Sequence, residues 1–547
     1  MARTPIFHHF TRLMAAALLS KPPGRSAGDT IESLSHLSRQ HARRMTTRRE
    51  FLHRAGLAGA AALGLVSGAS GLARAARPQR TSLDVGIVGA GLAGLTCADF
   101  LKQRGIRASL YEAATRAGGR CWSLRGFFHG QVAERGGEFI DNPHKTMLGY
   151  AQRFKLAKED VVKQPGEVFY HFDGQRYAEA AVVEEFRDFV GVMRIDLNRL
   201  SQEVTAATHT PQDVTLDRTN LLAYLEGQNG AGVPAGPVAK AAIIAAYEAE
   251  YGLAAEEQSC LNFLLFVHTD RRSKFTPFGV FSDERYHVID GNDRIIEGLA
   301  GELPGQIEYG SALVRVRRTA AGRIELTLRQ GSRTIVKAHD VVVLTLPFTI
   351  LREVELDPSL NLSPQKMNAI QQLGYGTNAK MMVGFSNRLW RVLGSNGTSY
   401  SDLPNHQTTW ETNPTLGTAA RGILTDYSSG PRGVRLNENA LQTEVARFLA
   451  DLNVVYPGTM GAATRIGTDY LAHLEHWPSN PLSKGSYTCY KPGQFTTIAG
   501  LEGVHAGNLF FAGEHTNSFY DWQGFMEGAA LSGIQAAQDI LTAARVG

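Results

Sequence analysis

The first clear pattern of apolar and polar positions begins at Leu83. Residues Leu83–Val88 form a short apolar run, and three glycines follow at positions 89, 91 and 94. A helical stretch comes next, and then a second apolar run over Ala108–Glu112. An apolar run that enters a glycine cluster before a helical stretch predicts a strand, a tight turn and a helix.

Other runs predict further elements of the same layered kind. Asp340–Pro347 is almost continuously apolar, as expected of a strand buried on both faces. Ile307–Val316 and Ile324–Leu328 alternate apolar and polar residues, which predicts hairpin strands. Near the end of the chain, Leu509–Glu514 reads as a strand and Gly524–Ala544 as a helix.

Long helical stretches dominate from about Tyr150 to Phe281. Ala239–Tyr251 is one of them, and a Gly/Pro cluster over Gly230–Pro237 precedes it. This region predicts a helical insertion that caps a site. Residues 364–470 show mixed strand and helix patterns, which indicate a second domain.

The glycine spacing G-x-G-x-x-G, with an acid about 20 residues further on, predicts a dinucleotide site. Gly89 permits the tight turn, Gly91 lets a pyrophosphate approach backbone N–H groups, and Gly94 lets the helix lie close to the strand. The helix N-terminus faces the phosphates with its partial positive charge, and Glu112 takes the ribose hydroxyls. The predicted contacts of this segment are Gly89, Ala90, Gly91, Gly94, Glu112 and Ala113.

The continuation over Glu112–Arg120 separates flavin binding from nicotinamide binding. It resembles the E-A-x-x-R-x-G-G-R segment of FAD-dependent amine oxidases, although Ala114 stands where those enzymes often carry a basic residue. The resemblance implies that Gly119 passes close to the cofactor and that Arg120 meets its phosphates. It implies three further cofactor contacts, at Gly137, Glu138 and, beside the adenine, Val314.

The final 70 residues carry a more specific resemblance. Gly485–Tyr487, Phe511–Thr516 and Trp522–Ala529 are similar to segments of the monoamine oxidase, polyamine oxidase and L-amino-acid oxidase group. The resemblance implies that Glu514 accepts hydrogen bonds from the cofactor ribitol; a helix-capping acid is the alternative. The last helix would direct its free N–H groups at flavin N1 and the C2 carbonyl. The implied contacts here are Gly513, Glu514, Gly524, Phe525 and Met526.

The resemblance also implies catalytic positions. Tyr487 and Phe525 would stand on either side of the amine path, and Trp522 would add a wall. Lys380 matches the lysine that holds a water against flavin N5. The alternatives are two ordinary core aromatics and a lysine that extends to solvent.

An oxidative deamination follows from these roles. The amine gives a hydride to flavin N5, water hydrolyses the imine, and O₂ reoxidises the flavin to give H₂O₂. Monoamine oxidases tether the flavin through a cysteine where this chain has Ser486, so FAD is predicted to be bound non-covalently.

The substrate class stays open between amines and amino acids. L-amino-acid oxidases often clamp the substrate carboxylate with an arginine where this chain has Phe139, which favours a primary amine, a diamine or a polyamine. Glu138, Asp141 and Asp521 are acids that would attract a second ammonium group. The alternatives are an L-amino-acid oxidase or dehydrogenase, including one that acts on basic amino acids or reduces a quinone, and a flavin-holding amine-binding protein without turnover. A carotenoid or porphyrinogen oxidase is more distant, and the paired aromatics and Lys380 argue against it.

Residues 1–75 read as an export leader. Thr47–His53 contains a twin-arginine pattern, an apolar small-residue run follows, and Ala73–Ala75 forms a cleavage signal. We expect the twin-arginine machinery to carry the folded protein to the periplasm or outside the cell. Met45 lies just before the arginines, so it is a candidate for the true start.

The leader also distorts the charge of the chain. It holds 11 of the 56 Lys and Arg and 3 of the 52 Asp and Glu, which leaves 45 basic and 49 acidic residues. This balance gives no support for a nucleic-acid partner. The four cysteines have neither metal-type spacing nor the pattern of a disulfide framework, and no metal site is predicted. A homodimer is the family default.

The predicted architecture is α/β: a Rossmann-like FAD-binding domain, with a parallel sheet and a hairpin, interrupted by an inserted α+β substrate domain. The FAD-binding domain is assigned to residues 83–150, 285–350 and 480–545. The substrate-binding domain, with its helical insertion, is assigned to residues 151–284 and 351–479.

Overall fold

The computed structural model describes residues 83–163, 165–267, 283–416 and 420–546. The predicted leader over residues 1–75, with its twin arginines and Met45, lies outside these ranges. No helix within the described ranges combines the length and apolarity needed to cross a membrane.

The strands of the described residues are numbered in chain order. They are β1 Val85–Val88, β2 Ser109–Glu112, β3 Ser123–Phe128, β4 Gln131–Glu134, β5 Lys158–Asp160, β6 Glu167–Phe172, β7 Gln175–Tyr177, β8 Tyr286–Val288, β9 Ile307–Tyr309, β10 Ala312–Arg318, β11 Ile324–Gln330, β12 Arg333–His339, β13 Val341–Leu344, β14 Glu355–Leu356, β15 Ala379–Phe385, β16 Ser395–Ser401, β17 Thr408–Glu411, β18 Gly422–Ser428, β19 Arg465–Ile466, β20 Asp469–Tyr470, β21 Ala472–His476 and β22 Leu509–Phe511.

The α-helices of the same residues are numbered likewise. They are α1 Leu92–Lys102, α2 Lys145–Arg153, α3 Glu179–Leu197, α4 Pro211–Arg218, α5 Leu221–Leu225, α6 Pro237–Tyr251, α7 Cys260–Val267, α8 Asp293–Gly301, α9 Phe348–Leu351, α10 Pro364–Gln372, α11 Leu389–Val392, α12 Gly430–Arg435, α13 Leu441–Val455, α14 Thr459–Ala462 and α15 Met526–Val546.

A five-stranded sheet in the order β22-β13-β1-β2-β9 forms the layer that the sequence predicts to bind the nucleotide, and all of its pairings are parallel. The apolar runs after Leu83 and Asp340 form its two central strands, which are almost completely buried. Helices α1 and α15 pack closely against each other beside it. Thr96 Oγ1 donates to the Ala530 carbonyl at 3.0 Å, and a Cβ at Gly533 would lie only 2.1 Å from the Ala93 oxygen.

The predicted hairpin forms, with one change. Strands β10, β11 and β12 pair in antiparallel order, and β14 adds to β10 in parallel. The single strand expected over Ile307–Val316 is wrong, because the chain turns at Gly310, whose φ is +68°. Its first part, Ile307–Tyr309, joins β2 in the parallel sheet instead.

A seven-stranded sheet in the order β21-β15-β18-β17-β16-β6-β7 forms the second layer. Its pairings are antiparallel except for β16 with β6. The region from about Tyr150, predicted to be dominated by long helices, contains long helices such as α3 and α6 but also the unpredicted strands Glu167–Phe172 and Gln175–Tyr177. Their aromatic residues favour the half-buried surface of a sheet.

Three predicted elements shift at their ends because of local backbone chemistry. Helix α6 begins at Pro237, two residues early, since proline suits the first turn. Helix α15 begins at Met526 and not at Gly524, whose φ of +85° is not helical. Strand β22 ends at Phe511, before Gly513 with φ +142°.

All four cysteines are buried, and none is in a disulfide within the described residues. Cys97 lies inside α1 as predicted, and burial raises the pKa of its thiol to about 12. It therefore packs as a small apolar residue.

Candidate functional site

Glu112 holds the glycine turn after β1 in shape. Gly89 adopts φ +104°, and its N–H donates to the Tyr111 carbonyl at 2.8 Å. The Glu112 carboxylate accepts from the Ala90 N–H at 2.7 Å and from the Ala114 N–H at 2.8 Å. Burial raises the pKa of Glu112, and these backbone N–H groups oppose that rise. The acid thus fixes the turn from the neighbouring strand.

Gly94 brings α1 against β1. A Cβ at this position would lie 2.0 Å from the Gly89 carbonyl oxygen and 3.4 Å from Ile87 Cγ2. A larger residue here would push the helix off the strand.

The N-terminus of α1 opens into free space lined by glycine. Gly91 precedes the helix in extended conformation, no side chain of the described residues caps it, and its first turn carries no acid. A Cβ at Gly91 would meet nothing within 4 Å, and one at Gly119 would meet only the Gly91 Cα, at 3.7 Å. Uncapped N–H groups beside such space bind phosphates well. These residues, with half-buried Ala113 after Glu112, therefore fit the pyrophosphate and ribose of FAD.

Arg120 and Glu514 join the first motif to the last. Arg120 Nη1 lies 2.9 Å from Glu514 Oε1 and 2.6 Å from the Ser486 carbonyl oxygen. Glu514 Oε2 accepts from Thr488 Oγ1 and from the Gly524 N–H, both at 3.1 Å. Burial raises the pKa of Glu514, but the Arg120 charge and hydrogen bond outweigh it, so the net pKa is lowered. Glu514 is thus a buried carboxylate that several motifs share.

His515 offers a polar group next to this pair. Within the described residues, both of its ring nitrogens are buried without a hydrogen-bond partner. Burial lowers the pKa of His515 to about 3, so the ring is neutral at pH 7. An orphaned neutral imidazole beside Glu514 is a further feature that suits a bound polar cofactor.

Lys380 is buried on the face of the seven-stranded sheet that carries Tyr427 and Trp410. Its Nζ donates to the Glu134 carbonyl at 3.1 Å, to the Gly136 carbonyl at 2.8 Å and to Glu138 Oε2 at 2.5 Å. The alternative of a lysine extended to solvent is wrong, because only 3% of Lys380 is exposed. The loop over residues 134–138 follows β4 and is bonded to the first motif, since the Gly137 N–H donates to the Arg120 carbonyl at 3.0 Å.

Aromatic rings surround Lys380 and extend to Tyr487. Lys380 Nζ lies 5.6 Å from the Trp410 ring centroid and 6.0 Å from that of Tyr427. The Tyr427 and Tyr487 hydroxyls are 3.2 Å apart, and Tyr487 also donates to the Glu250 carbonyl at 2.5 Å. Burial raises the pKa of Tyr427, and the carboxylates of Glu250, Glu138 and Glu284 raise it further.

Phe525 and Trp522 lie with a different ring partner. Phe525 is buried, with its centroid 5.6 Å from that of Trp522. His144 packs edge-on against both, at 4.4 Å from Trp522 and 5.2 Å from Phe525. Trp522 therefore stands beside Phe525, while Tyr487 lies among Tyr427 and Trp477.

The remaining predicted cofactor residues lie at breaks in regular structure. Val314 falls at the β-bulge between Leu313 and Arg315, with 38% of it exposed. The Gly513 N–H donates to Ser532 Oγ at 2.9 Å. Met526 is buried at the start of α15.

The three acids considered for a second ammonium group differ in their surroundings. Glu138 is in an ion pair with Lys380. Asp141 is fully buried, accepts from the Glu284 N–H at 3.0 Å and lies 3.5 Å from His144. Asp521 is exposed.

Several residues of this region were missed by reasoning from sequence. They are Trp410, Tyr427, His144, Thr488 and His515. Trp410 and Tyr427 alternate with polar residues in β17 and β18, a weak signal that they share one sheet face. His144 follows no motif and is positioned only by the fold.

Comparison with known proteins gives a match over most of the chain. A profile of the family described as flavin containing amine oxidoreductase matches residues 92–541.

Individual relatives agree with this match. The L-amino-acid oxidase of Pseudechis australis is 21% identical over 479 residues, covering 86% of this chain and 88% of the relative. The nicotine dehydrogenase of Pseudomonas putida is 23% identical over 510 residues, covering 90% and 97%. The solved structure of cyclohexylamine oxidase from Brevibacterium oxydans superimposes with a TM-score of 0.71 at 18% identity, covering 85% of this chain and 100% of that one.

Proposed function

Because the chain belongs to the flavin-containing amine oxidoreductase family, we propose that it oxidatively deaminates an amine: a primary amine, a diamine or a polyamine. It is an FAD-dependent oxidoreductase that acts on amines or amino acids. FAD supplies the acceptor for the hydride that leaves the carbon next to nitrogen.

The ion pair between Lys380 and Glu138, which has no net charge, is the observation that favours an amine substrate over an amino acid. A substrate carboxylate needs a cation to bind, and this lysine is already paired with a carboxylate on a buried sheet face. Phe139 stands where L-amino-acid oxidases often carry the arginine that clamps the substrate carboxylate. Its ring packs edge-on against that of Trp410, with the centroids 6.0 Å apart. Both features favour a substrate without a carboxylate.

The aromatic side chains near Lys380 prepare the amine for oxidation by excluding water. Tyr487, Tyr427 and Trp410 are each at most 2% exposed, so they keep water from the region around Lys380. A dry, apolar wall disfavours the charged form of an amine. We infer that these rings hold the amine neutral, with its lone pair available, so that no separate general base is needed.

The second candidate is an L-amino-acid oxidase or dehydrogenase, including one for basic amino acids. The relative named L-amino-acid oxidase favours it, and the relative named nicotine dehydrogenase favours an acceptor other than O₂. Peroxide release with tyramine, putrescine, spermidine and L-arginine, measured side by side on FAD-loaded protein, separates these cases. Activity with L-arginine alone would overturn the amine proposal.

Turnover itself has an independent test. Anaerobic mixing with a substrate amine is expected to bleach the flavin, and admitting O₂ is expected to restore the colour and yield H₂O₂. A spectral shift without bleaching by any amine or amino acid would indicate a binding protein instead. Bleaching that O₂ does not reverse, but a quinone does, would make the protein a dehydrogenase.

We also propose that FAD is held without a covalent bond and that the protein acts in the periplasm or outside the cell. Ser486 supplies a hydroxyl where a cysteine tether would stand, and it donates to Asn378 Oδ1 at 2.5 Å. The twin-arginine pattern at Thr47–His53 supports export of the folded protein. Fractionation of cells that express the full chain tests the location.

A further inference from the structure

The Lys380 ammonium has used all of its hydrogen-bonding capacity. A lysine carries three N–H donors, and here the three acceptors are the Glu134 carbonyl, the Gly136 carbonyl and the Glu138 carboxylate. All three belong to the loop over residues 134–138. In this geometry no donor of Lys380 is left to hold a water, so its contribution to the site must come through its charge and through the loop.

Glu138 is held just as firmly from the opposite side. Its Oε2 accepts from Lys380, and its Oε1 accepts from Trp410 Nε1 at 2.9 Å. Both donors come from the face of the seven-stranded sheet, on β15 and β17. The side chains of Lys380 and Glu138 are only 4% and 2% exposed. Water therefore screens neither charge, and each charge is cancelled mainly by the other.

The loop that carries Glu138 is also tied to the nucleotide-binding layer. The Gly137 N–H donates to the Arg120 carbonyl at 3.0 Å, and a Cβ at Gly136 would lie 1.8 Å from that same oxygen. Asn292 Nδ2 donates to the Gly137 and Glu138 carbonyls at 3.0 and 2.6 Å. The loop thus connects the motif at Arg120 with the sheet face at Lys380.

We propose that Glu138 is a positioning residue that neutralises Lys380 and aims it at the loop carbonyls, so that the flavin is exposed to a neutral pair and not to an isolated cation. The pair fastens the loop over residues 134–138 to the sheet that carries Trp410 and Tyr427. This inference rests on FAD binding and not on the identity of the amine, so it stands or falls separately from the proposed substrate class.

The experiment is the midpoint potential of the bound flavin, measured by dye equilibration without any amine. E138Q keeps the shape of the side chain and leaves the lysine charge uncancelled, so the potential should rise, because a nearby cation favours the reduced, more negative flavin. K380M leaves the carboxylate uncancelled, so the potential should fall. The double variant E138Q/K380M should return close to the wild-type value, and E138D should restore it largely.

E475Q is the matched control. Glu475 is the cross-strand neighbour of Lys380 in β21, and its carboxylate accepts from Arg135 Nε of the same loop at 2.5 Å. It therefore ties the same loop to the same sheet without a hydrogen bond to the Lys380 ammonium. A purely structural role for the Glu138 pair predicts an E475Q shift in potential as large as that of E138Q. A positioning role predicts a clearly smaller E475Q shift, because the uncancelled Arg135 is 19% exposed and solvent screens its charge more than that of buried Lys380.

Three results would overturn the proposal. They are an unchanged or lower potential in E138Q, a double variant that stays far from wild type, and an E475Q shift as large as that of E138Q. If E138Q does not retain FAD, the proposal is tested with E138Q/K380M and E138D. Both variants should then retain FAD with a near-native potential, and failure of both to do so would contradict the proposed role of the Lys380–Glu138 pair.

Discussion

Arg120 Nη1 and Glu514 Oε1 lie 2.9 Å apart although 394 positions separate the two residues in the chain. This ion pair links distant segments of the nucleotide-binding layer through the single buried carboxylate of Glu514. It brings together the G-G-R end of the first motif, the strand that precedes Glu514 and the turn before α15.

Glu514→Gln should weaken both folding and FAD retention. The substitution keeps the size of the side chain but leaves the Arg120 guanidinium without its carboxylate, and breaking such a buried pair costs about 3–5 kcal/mol. The flavin-to-protein absorbance ratio after purification and the free energy of unfolding measure it. Glu297→Gln, in the exposed pair with Arg294, is the control and should change stability by less than about 1 kcal/mol.

Gly94→Ala should reduce FAD affinity and destabilise the fold. Its Cβ would lie 2.0 Å from the Gly89 oxygen, so α1 must move away from the strand, at a cost of about 1–3 kcal/mol. FAD titration of the apoprotein and thermal unfolding measure the effect. Gly301→Ala at the end of α8 is the control, since its Cβ meets nothing within 4 Å. An equal effect of both alanines would contradict the packing explanation.

Tyr487 should matter more for its ring than for its hydroxyl. Tyr487→Phe loses the hydrogen bond to the Glu250 carbonyl, which should lower folding stability by about 1 kcal/mol and change kcat/KM little, because the bond is already made before substrate binds. Tyr487→Leu also opens the aromatic wall and should lower kcat/KM at least about tenfold further. Steady-state kinetics with the best amine from the screen measure both. Equal losses in the two variants would show that the ring itself is unimportant.

Stability should decline as the pH falls below about 6.5. Burial lowers the pKa of His406 from 6.5 to about 3, so the unfolded chain binds a proton that the folded protein rejects. His406 therefore does not affect the free energy of unfolding above pH 6.5. Between pH 6.5 and pH 3, the free energy of unfolding falls by about 1.4 kcal/mol per pH unit because of this residue. Denaturant unfolding at pH 7, 6, 5 and 4 should show a shallower decline in His406→Asn. Parallel curves would refute the assignment.

FAD should leave the protein completely on denaturation. Position 486 carries a buried serine, which offers no thiol for a thioether. The intact mass of the denatured protein should therefore equal that of the polypeptide alone, with all yellow colour in the filtrate. Retained flavin would place a covalent bond at another residue.

The local motifs could be predicted from sequence because each depends on neighbouring residues. The turn at Gly89 and Gly91, the buried run after Asp340 and the last helix all follow from short-range patterns, and the structure contains them. The ends of elements were less predictable. A positive φ at Gly310 split one expected strand, and the one at Gly524 delayed a helix.

Contacts between distant segments could not be predicted. Glu138 was considered as a partner for substrate, but its carboxylate binds Lys380, 242 residues away. No residue near Glu138 in sequence indicates this partner, because the contact depends on how β15 packs against the loop in the folded protein. The strands β6 and β7 were missed for a similar reason, since β6 pairs with β16 in another part of the chain and β7 pairs with β6.

The contact of α15 with α1 limits when the protein can acquire its cofactor. The first strand and glycine turn leave the ribosome early, but their sheet gains its edge strand at Leu509–Phe511 and its packing helix at Met526–Val546. Until these segments emerge, the nucleotide cleft lacks one wall and the partner of Arg120. FAD can therefore be loaded only after Met526–Val546 has been synthesised, and a truncation before Leu509 would remove the strand, the carboxylate and the helix that complete the cleft.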